Sequence, residues 1–429
     1  MSSCLGPRAQ HGCVSFVPSE VRWSTMRRAP LFITVLLTVA LAYYVYTPLP
    51  EALQGKWKLM LMDAAFRTVI KFVSFTSFPL THFTEAFNQI IIIFGPDFLP
   101  GVKMTEETFG GVPVQVYEAS EREGRLRRGL VYFHGGGWAL GSASKCSATY
   151  DKLSRVLSHE LDAVVVSVEY SLFPEVQFPV PYLDCLAASK HFLSAEVLSK
   201  YSVDPGRVGV SGDSAGGNLA AAVSQEIAQD PNMSIKFSVQ ALIYPALQAL
   251  DFNTPSDIQN HDGPILSRDS LVIFWMQYLG IDLSLLEKIK LNQHMSLQQT
   301  LLTPELRARF DWRKLLSPKE RQNYRPMVPE KGLDGITKKV PALLDVRASP
   351  LLADSEVLSK CPKAYVVTCE FDVLRDDGLM YVRRLRDAGV EVTSVLYEIG
   401  FHGCVGFMVE MELVKRAQTD YVNWLRENL

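Results

Sequence analysis

From about residue 105 onward, short runs of consecutive apolar residues alternate with stretches whose apolar positions recur every three to four residues. The runs PVQVYEA (113–119), RGLVYF (128–133), DAVVVSVEY (162–170), RVGVSG (207–212), VQALIYP (239–245), KAYVVTCE (363–370) and VTSVLYE (392–398) predict strands. Most are unbroken Val/Ile/Leu runs, as expected where both faces of a parallel sheet are covered. Helical spacing predicts helices over 214–229, 377–388 and 408–427. This alternation predicts an α/β fold with one mostly parallel central sheet and helices on both faces.

Two regions break that rhythm. Residues 50–100 are largely apolar and helix-like, ending in NQIIIIFGPDFLPG, and residues 246–345 interrupt two predicted strands. The second is too long for a simple crossover. Together they are expected to form a helical cap over one end of the sheet, where ligand sites commonly lie. The chain then divides into a tail at 1–28, an apolar segment at 29–46, an N-terminal part of the cap at 47–104 and the α/β domain at 105–429, with the cap insertion at about 246–345.

The segment APLFITVLLTVALAYYVY (29–46) carries no charge, follows Arg22, Arg27 and Arg28, and ends in Tyr43, Tyr44 and Tyr46. It is at the short end of what spans a bilayer, with an interfacial aromatic cluster. The preceding arginines put residues 1–28 in the cytosol and everything after Pro48 across the membrane. Ala40-Leu41-Ala42 also has the small-x-small form of a signal-peptide cleavage site, although the run continues apolar past it. Either reading places the body in an oxidising compartment. Asn232-Met233-Ser234 fits a glycosylation sequon there. Beyond the segment lie Cys146, Cys185, Cys361, Cys369 and Cys404, an odd set without metal-ligand spacing. The formal net charge of −3, with no basic stripe, argues against a nucleic-acid partner.

The chemistry begins after the 207–212 strand. Gly212-Asp213-Ser214-Ala215-Gly216-Gly217 leads into the helical stretch NLAAAVSQEIA, so G-x-S-x-G sits at a strand-to-helix junction. That context puts Ser214 on a sharp turn as a nucleophile, with flanking glycines removing side chains that would collide there. A serine hydroxyl needs a base. His402, in YEIGFHGC, follows a late strand and is the candidate, with His134 as its rival. His191, His261 and His294 lie in helical or cap-like stretches. The base needs an acid to hold its tautomer. Asp372 follows a strand, while its neighbours Asp376 and Asp377 fit the first turn of the next helix. Upstream, VYFHGGGW ends a strand in His134, Gly135, Gly136 and Gly137. Its bare backbone N–H groups, with that of Ala215, are expected to point at the oxyanion of a tetrahedral intermediate, with His134 bracing the loop. No metal or organic cofactor is called for.

The set HGGGW, GDSAGG, EFDVLRDDG and GFHG resembles the hormone-sensitive-lipase-like branch of the α/β-hydrolases. The resemblance runs from about residue 29 to Leu429. It implies Ser214, Asp372 and His402 as a catalytic triad and His134, Gly135 and Gly136 as oxyanion-loop residues. It also implies a single-pass endoplasmic-reticulum membrane protein with a luminal domain that hydrolyses hydrophobic esters and amides with small acyl groups, and some neutral lipids. A hydrolase-fold binding protein that has lost turnover is the rival, but such proteins usually lack a triad member. The chain departs from close members at two places. A cysteine after the HGGGW tryptophan, paired there with a cysteine just before the catalytic aspartate, is replaced by Ala139 while Cys369 remains; either the bond is absent or Cys146 takes its place. The YRLAP stretch is YSLFP here, with Ser171 and Phe173.

Overall fold

The structure, a computed structural model, describes residues 21–49, 51, 53, 55–75, 101–119, 125–143, 148–297, 300–333, 335–406 and 411–429. It divides into one unit ending at Thr47 and a second from Pro48 to Leu429. The first is the helix Val21–Val45. Its Thr34 and Thr38 hydroxyls donate to the carbonyls four residues earlier, and Leu31, Phe32, Leu37 and Leu41 are exposed. Among the described residues, no helix is long and apolar enough to cross a membrane.

The second unit is built on an eight-stranded sheet in the order β1-β2-β4-β3-β5-β6-β7-β8. The strands are β1 Val102–Phe109, β2 Val112–Ala119, β3 Arg127–Phe133, β4 Ala163–Val168, β5 Val203–Asp213, β6 Val239–Ile243, β7 Lys363–Phe371 and β8 Val392–Phe401. From β4 through β8 every pairing is parallel, and β2 runs antiparallel to both β1 and β4. The mostly parallel sheet agrees with the expectation from the apolar runs. β1 was not among the strands expected. Its sequence VKMTEETF is polar and half-exposed, as befits an edge, and Gly110-Gly111 joins it to β2 with φ of 59° and 87°. Such a pair supplies the left-handed backbone that a two-residue hairpin requires.

Alternate residues of each central strand enter different cores. Val131 and Phe133 of β3 join Val210 and Val166 on one face, where the helices Val180–Phe192, Ala215–Gln229 and Arg375–Asp387 pack. Leu130 and Tyr132 join Val165, Ile243 and Val367 on the other, against Ala148–Leu161 and Glu412–Asn428. Burial on both faces explains why these strands read as continuous apolar runs.

Between β6 and β7 the described residues form a series of short helices, of which Arg268–Leu279 is the longest. Buried acids tie it down. Asp376 accepts from the Ser256 N–H (2.7 Å), and Asp377 accepts from the Leu247 N–H (2.8 Å) and the Gln248 amide (3.0 Å). The N-terminal helix Lys56–Phe75 joins in through Asp63, which accepts from the Ile265 N–H at 2.9 Å. Residues 76–100 lie outside the described residues.

Candidate active site

Four loops leave the carboxyl ends of the parallel strands β3, β5, β7 and β8, and they carry the glycine run, Ser214, Asp372 and His402 respectively. Ser214 has φ 55° and ψ −119°, a backbone conformation that side-chain-bearing residues rarely adopt. The surrounding fold over-determines that strain. A methyl group on Gly216 would run into the Phe133 and His134 carbonyl oxygens, and one on Gly212 into the Gly216 carbonyl. Only glycine lets the turn press this closely onto the exit of β3. The Ser214 N–H donates to the Ile243 carbonyl (2.9 Å), and the helix Ala215–Gln229 begins directly behind the serine.

His402 Nδ1 lies 2.9 Å from Asp372 Oδ2, and His402 Nε2 lies 3.0 Å from Ser214 Oγ. A carboxylate only accepts, so Nδ1 carries the proton and the Nε2 lone pair receives the serine O–H. Asp372 is held in turn: its Oδ1 accepts from the Leu374 N–H (2.9 Å), and its carbonyl accepts from the Asn260 amide (3.1 Å). Asp372 and His402 are buried, whereas Ser214 is half-exposed. The structure therefore brings Ser214, His402 and Asp372 into one hydrogen-bonded chain. It gives Asp376 and Asp377 to the insertion instead, as their helix-start reading anticipates.

The glycine loop requires a correction. The Gly135 N–H does not face the serine; it donates to Asp213 Oδ1 (3.0 Å) and to the Tyr150 hydroxyl (2.9 Å). Asp213 also accepts from the hydroxyls of Tyr132 (2.8 Å) and Tyr150 (3.1 Å). Burial raises the Asp213 carboxyl while the two tyrosine hydroxyls pull it back. Among the described residues, the N–H groups of Gly136, Gly137 and Ala215 have no protein acceptor. His134 lies fully buried in this loop. Its Nδ1 donates to the Gly135 carbonyl (2.8 Å), and its ring stacks on Tyr170 at 4.3 Å. Burial lowers its pKa. These contacts fix the ring within the loop.

The insertion reaches the same loop. The Phe274 ring lies against Gly137, whose φ is 62°. Trp138 stacks on Tyr278 with centroids 4.2 Å apart and tilts against Trp275 at 4.6 Å. The altered YSLFP stretch meets it too, with the Phe173 N–H donating to the Trp138 carbonyl at 2.8 Å.

Sequence reasoning missed Tyr244. It follows β6 with a φ of 35°, its ring lies 4.8 Å from the His402 ring, and its hydroxyl accepts from the Gly406 N–H at 3.2 Å. The Tyr-Pro pair closing the VQALIYP run was the available signal, read only as the end of a strand. The remaining histidines serve elsewhere. His191 packs on Phe109, His261 is exposed beside Asp262, and burial lowers the pKa of His294 to about 4. Cys369 Sγ carries no disulfide in this structure, and Cys146, its alternative partner in the sequence reading, lies outside the described residues.

A strained serine on a strand-to-helix turn, bonded to a histidine and through it to an aspartate, defines a hydrolase site on a parallel sheet. The chain belongs to the alpha/beta hydrolase fold family, whose model matches residues 130–304 and 283–406, and it is a serine hydrolase. It is 47% identical over 412 residues to neutral cholesterol ester hydrolase 1 of Bos taurus, covering 94% of this chain and 100% of that one. It is 44% identical over 402 residues to arylacetamide deacetylase of Mus musculus, covering 92% and 99%. Among solved structures, a thermostable esterase from Pseudomonas putida superposes with a TM-score of 0.59 at 28% identity, covering 80% of this chain and 89% of that one.

Proposed function

We propose that this protein is a membrane-anchored carboxylesterase and deacetylase that hydrolyses hydrophobic esters and amides with small acyl groups, and neutral lipid esters, through an acyl-enzyme on Ser214. The observation that carries this is the unbroken bond chain from Ser214 through His402 to Asp372 beside three uncommitted N–H groups. His402 takes the Ser214 proton as Oγ attacks the carbonyl carbon. The N–H groups of Gly136, Gly137 and Ala215 receive the oxyanion, and the start of the helix Ala215–Gln229 adds its dipole. Asp372 keeps the imidazole in the reactive tautomer and stabilises the imidazolium. His402 then protonates the leaving alcohol or amine and activates the water that releases the acid.

The relatives' names, one a cholesterol ester hydrolase and the other an arylacetamide deacetylase, support a substrate range from neutral lipid esters to acylated aromatic amines. The aromatic residues Trp138, Phe274, Trp275 and Tyr278 pack on one another in the core behind the donor loop and hold it in place. In this reading residues 29–46 are a signal anchor, residues 1–28 face the cytosol, and the body lies in the lumen of the endoplasmic reticulum. Asn232 is exposed and open to glycosylation there. Protease treatment of sealed microsomes tests the topology: the body is expected to survive until detergent is added.

Fluorophosphonate labelling of the full chain in membranes tests the mechanism, with Ser214→Ala and His402→Ala alongside. Labelling of the parent and its loss in both variants is expected. No labelling of the folded parent would overturn turnover in favour of a hydrolase-fold binding protein.

A further inference from the structure

Two of the buried thiols flank the proposed acid and base. Cys369 is near the end of β7, just ahead of Asp372, and Cys404 is in the turn just after His402. Their Sγ atoms are 3.5 Å apart, and each residue is fully buried. A disulfide bond is about 2.05 Å long, so closing this pair needs a shift of only about 1.5 Å shared between two side chains. Nearby backbone is packed around the pair: a methyl group on Gly400 would come within 2.9 Å of Cys369 Sγ. Cys185 and Cys361 have no thiol neighbour of this kind among the described residues; Cys361 Sγ meets the Val357 carbonyl at 3.8 Å and the side chains of Gln240 and Tyr381.

We propose that Cys369 and Cys404 form a disulfide that ties the strand end carrying Asp372 to the loop carrying His402. The bond fixes the separation of the two residues whose contact holds the imidazole tautomer. The inference rests on the luminal placement proposed above only for where the bond forms in the cell. Two thiols lose two protons and two electrons to an incoming disulfide, from oxidised glutathione or a thiol–disulfide oxidoreductase, which leaves as two thiols. Burial pushes the Cys369 thiol up, and the thiolate is the attacking species. Oxidation is therefore fast while the strand ends are assembling and slow once they are packed. The same burial shields the finished bond from reductants.

The experiment is peptide mapping of the full chain under non-reducing conditions, with two sources of protein. In the first, thiols in membranes are blocked with N-ethylmaleimide at lysis. In the second, the purified chain is equilibrated during refolding with a glutathione redox series. A cross-linked peptide pair spanning residues 369 and 404 is expected in both, lost in Cys404→Ala and unchanged in Cys185→Ala. In Cys404→Ala, Cys369 is expected to become fully alkylated on denaturation without reductant. A cross-link in the refolded protein alone keeps the pair and overturns the luminal placement. Complete alkylation of both thiols from both sources overturns the disulfide, whatever the outcome of fluorophosphonate labelling.

Discussion

Two loops of this molecule present a histidine at the carboxyl end of a parallel strand, with glycines beside it. In the loop after β3, His134 is fully buried, stacked on Tyr170, and its Nδ1–H is spent on the adjacent Gly135 carbonyl. In the loop after β8, His402 has a carboxylate on one ring nitrogen and a serine hydroxyl on the other. The first ring is a wedge and the second is wired for proton transfer. Local sequence barely separates them, since HGGG and FHGC both read as a histidine on a flexible turn. The difference lies in what each ring nitrogen meets, and that is set by residues far away in the chain.

The largest test of this contrast is the paired variant His402→Ala and His134→Ala. Loss of His402 is expected to lower kcat/KM by about 10⁴-fold or more, because the serine loses its base, while stability changes little. Loss of His134 empties a packed site and is expected to cost about 2–4 kcal/mol of stability, as other large-to-small core changes do. Its kinetic cost should be smaller, about 10–100-fold, through displacement of the donor loop. Thermal unfolding and esterase kinetics on both variants separate the roles. Equal kinetic losses with equal melting temperatures would erase the distinction.

A second test acts on the donor loop itself. Gly137→Ala places a methyl group into the Phe274 ring at a φ of 62°. The left-handed backbone alone costs about 1 kcal/mol, and the loop must also retreat from the ring. A displacement of about 1 Å at the N–H donors should lower kcat by about 10²-fold with KM little changed. Adding Phe274→Ala removes the obstacle and is expected to recover part of kcat. A double variant no more active than Gly137→Ala would show that the ring does not set the position of this loop.

Much of this site was legible because its chemistry demands particular residues at particular junctions. G-x-S-x-G between an apolar strand and a helix has few alternative uses, and Asp372 and His402 were each marked by a strand ending just before them. The parallel sheet was legible from unbroken Val/Ile runs because burial on both faces removes the polar alternation. What failed to show was relational. β1 is a polar edge strand whose apolar signal is too weak to stand out, although Gly110-Gly111 marked its turn. Nothing near Gly135 announced that its N–H belongs to Asp213, a residue 78 positions away. The nearness of Cys369 to Cys404 was equally hidden, because it depends on the β7–β8 pairing. Tyr244 meets His402 from a still more distant part of the sequence, through a ring that only the fold brings close.

The smallest expected effect is a pH dependence of stability to which the wedge histidine contributes. Burial lowers the His134 pKa below its ordinary value of 6.5, more than the Glu169 and Asp213 carboxylates and the Gly135 carbonyl raise it. The folded state therefore favours the neutral ring, and the unfolded chain binds the proton first as pH falls. The stabilisation is complete above about pH 6.5 and is lost as pH drops from there through the folded value, with a slope of at most about 1.4 kcal/mol per pH unit for one proton. His294 has the same sign and is lowered to about 4, so it adds a parallel loss in the same acid window. Replacing His134 by Phe keeps a ring against Tyr170 and removes the titration. Melting temperatures of parent and His134→Phe between pH 8 and 5 should diverge above pH 6.5 by a constant offset and converge below it. An offset that stays constant through the whole range would mean that His134 keeps its proton as readily folded as unfolded, and the wedge would then have to accommodate a charge that its surroundings argue against.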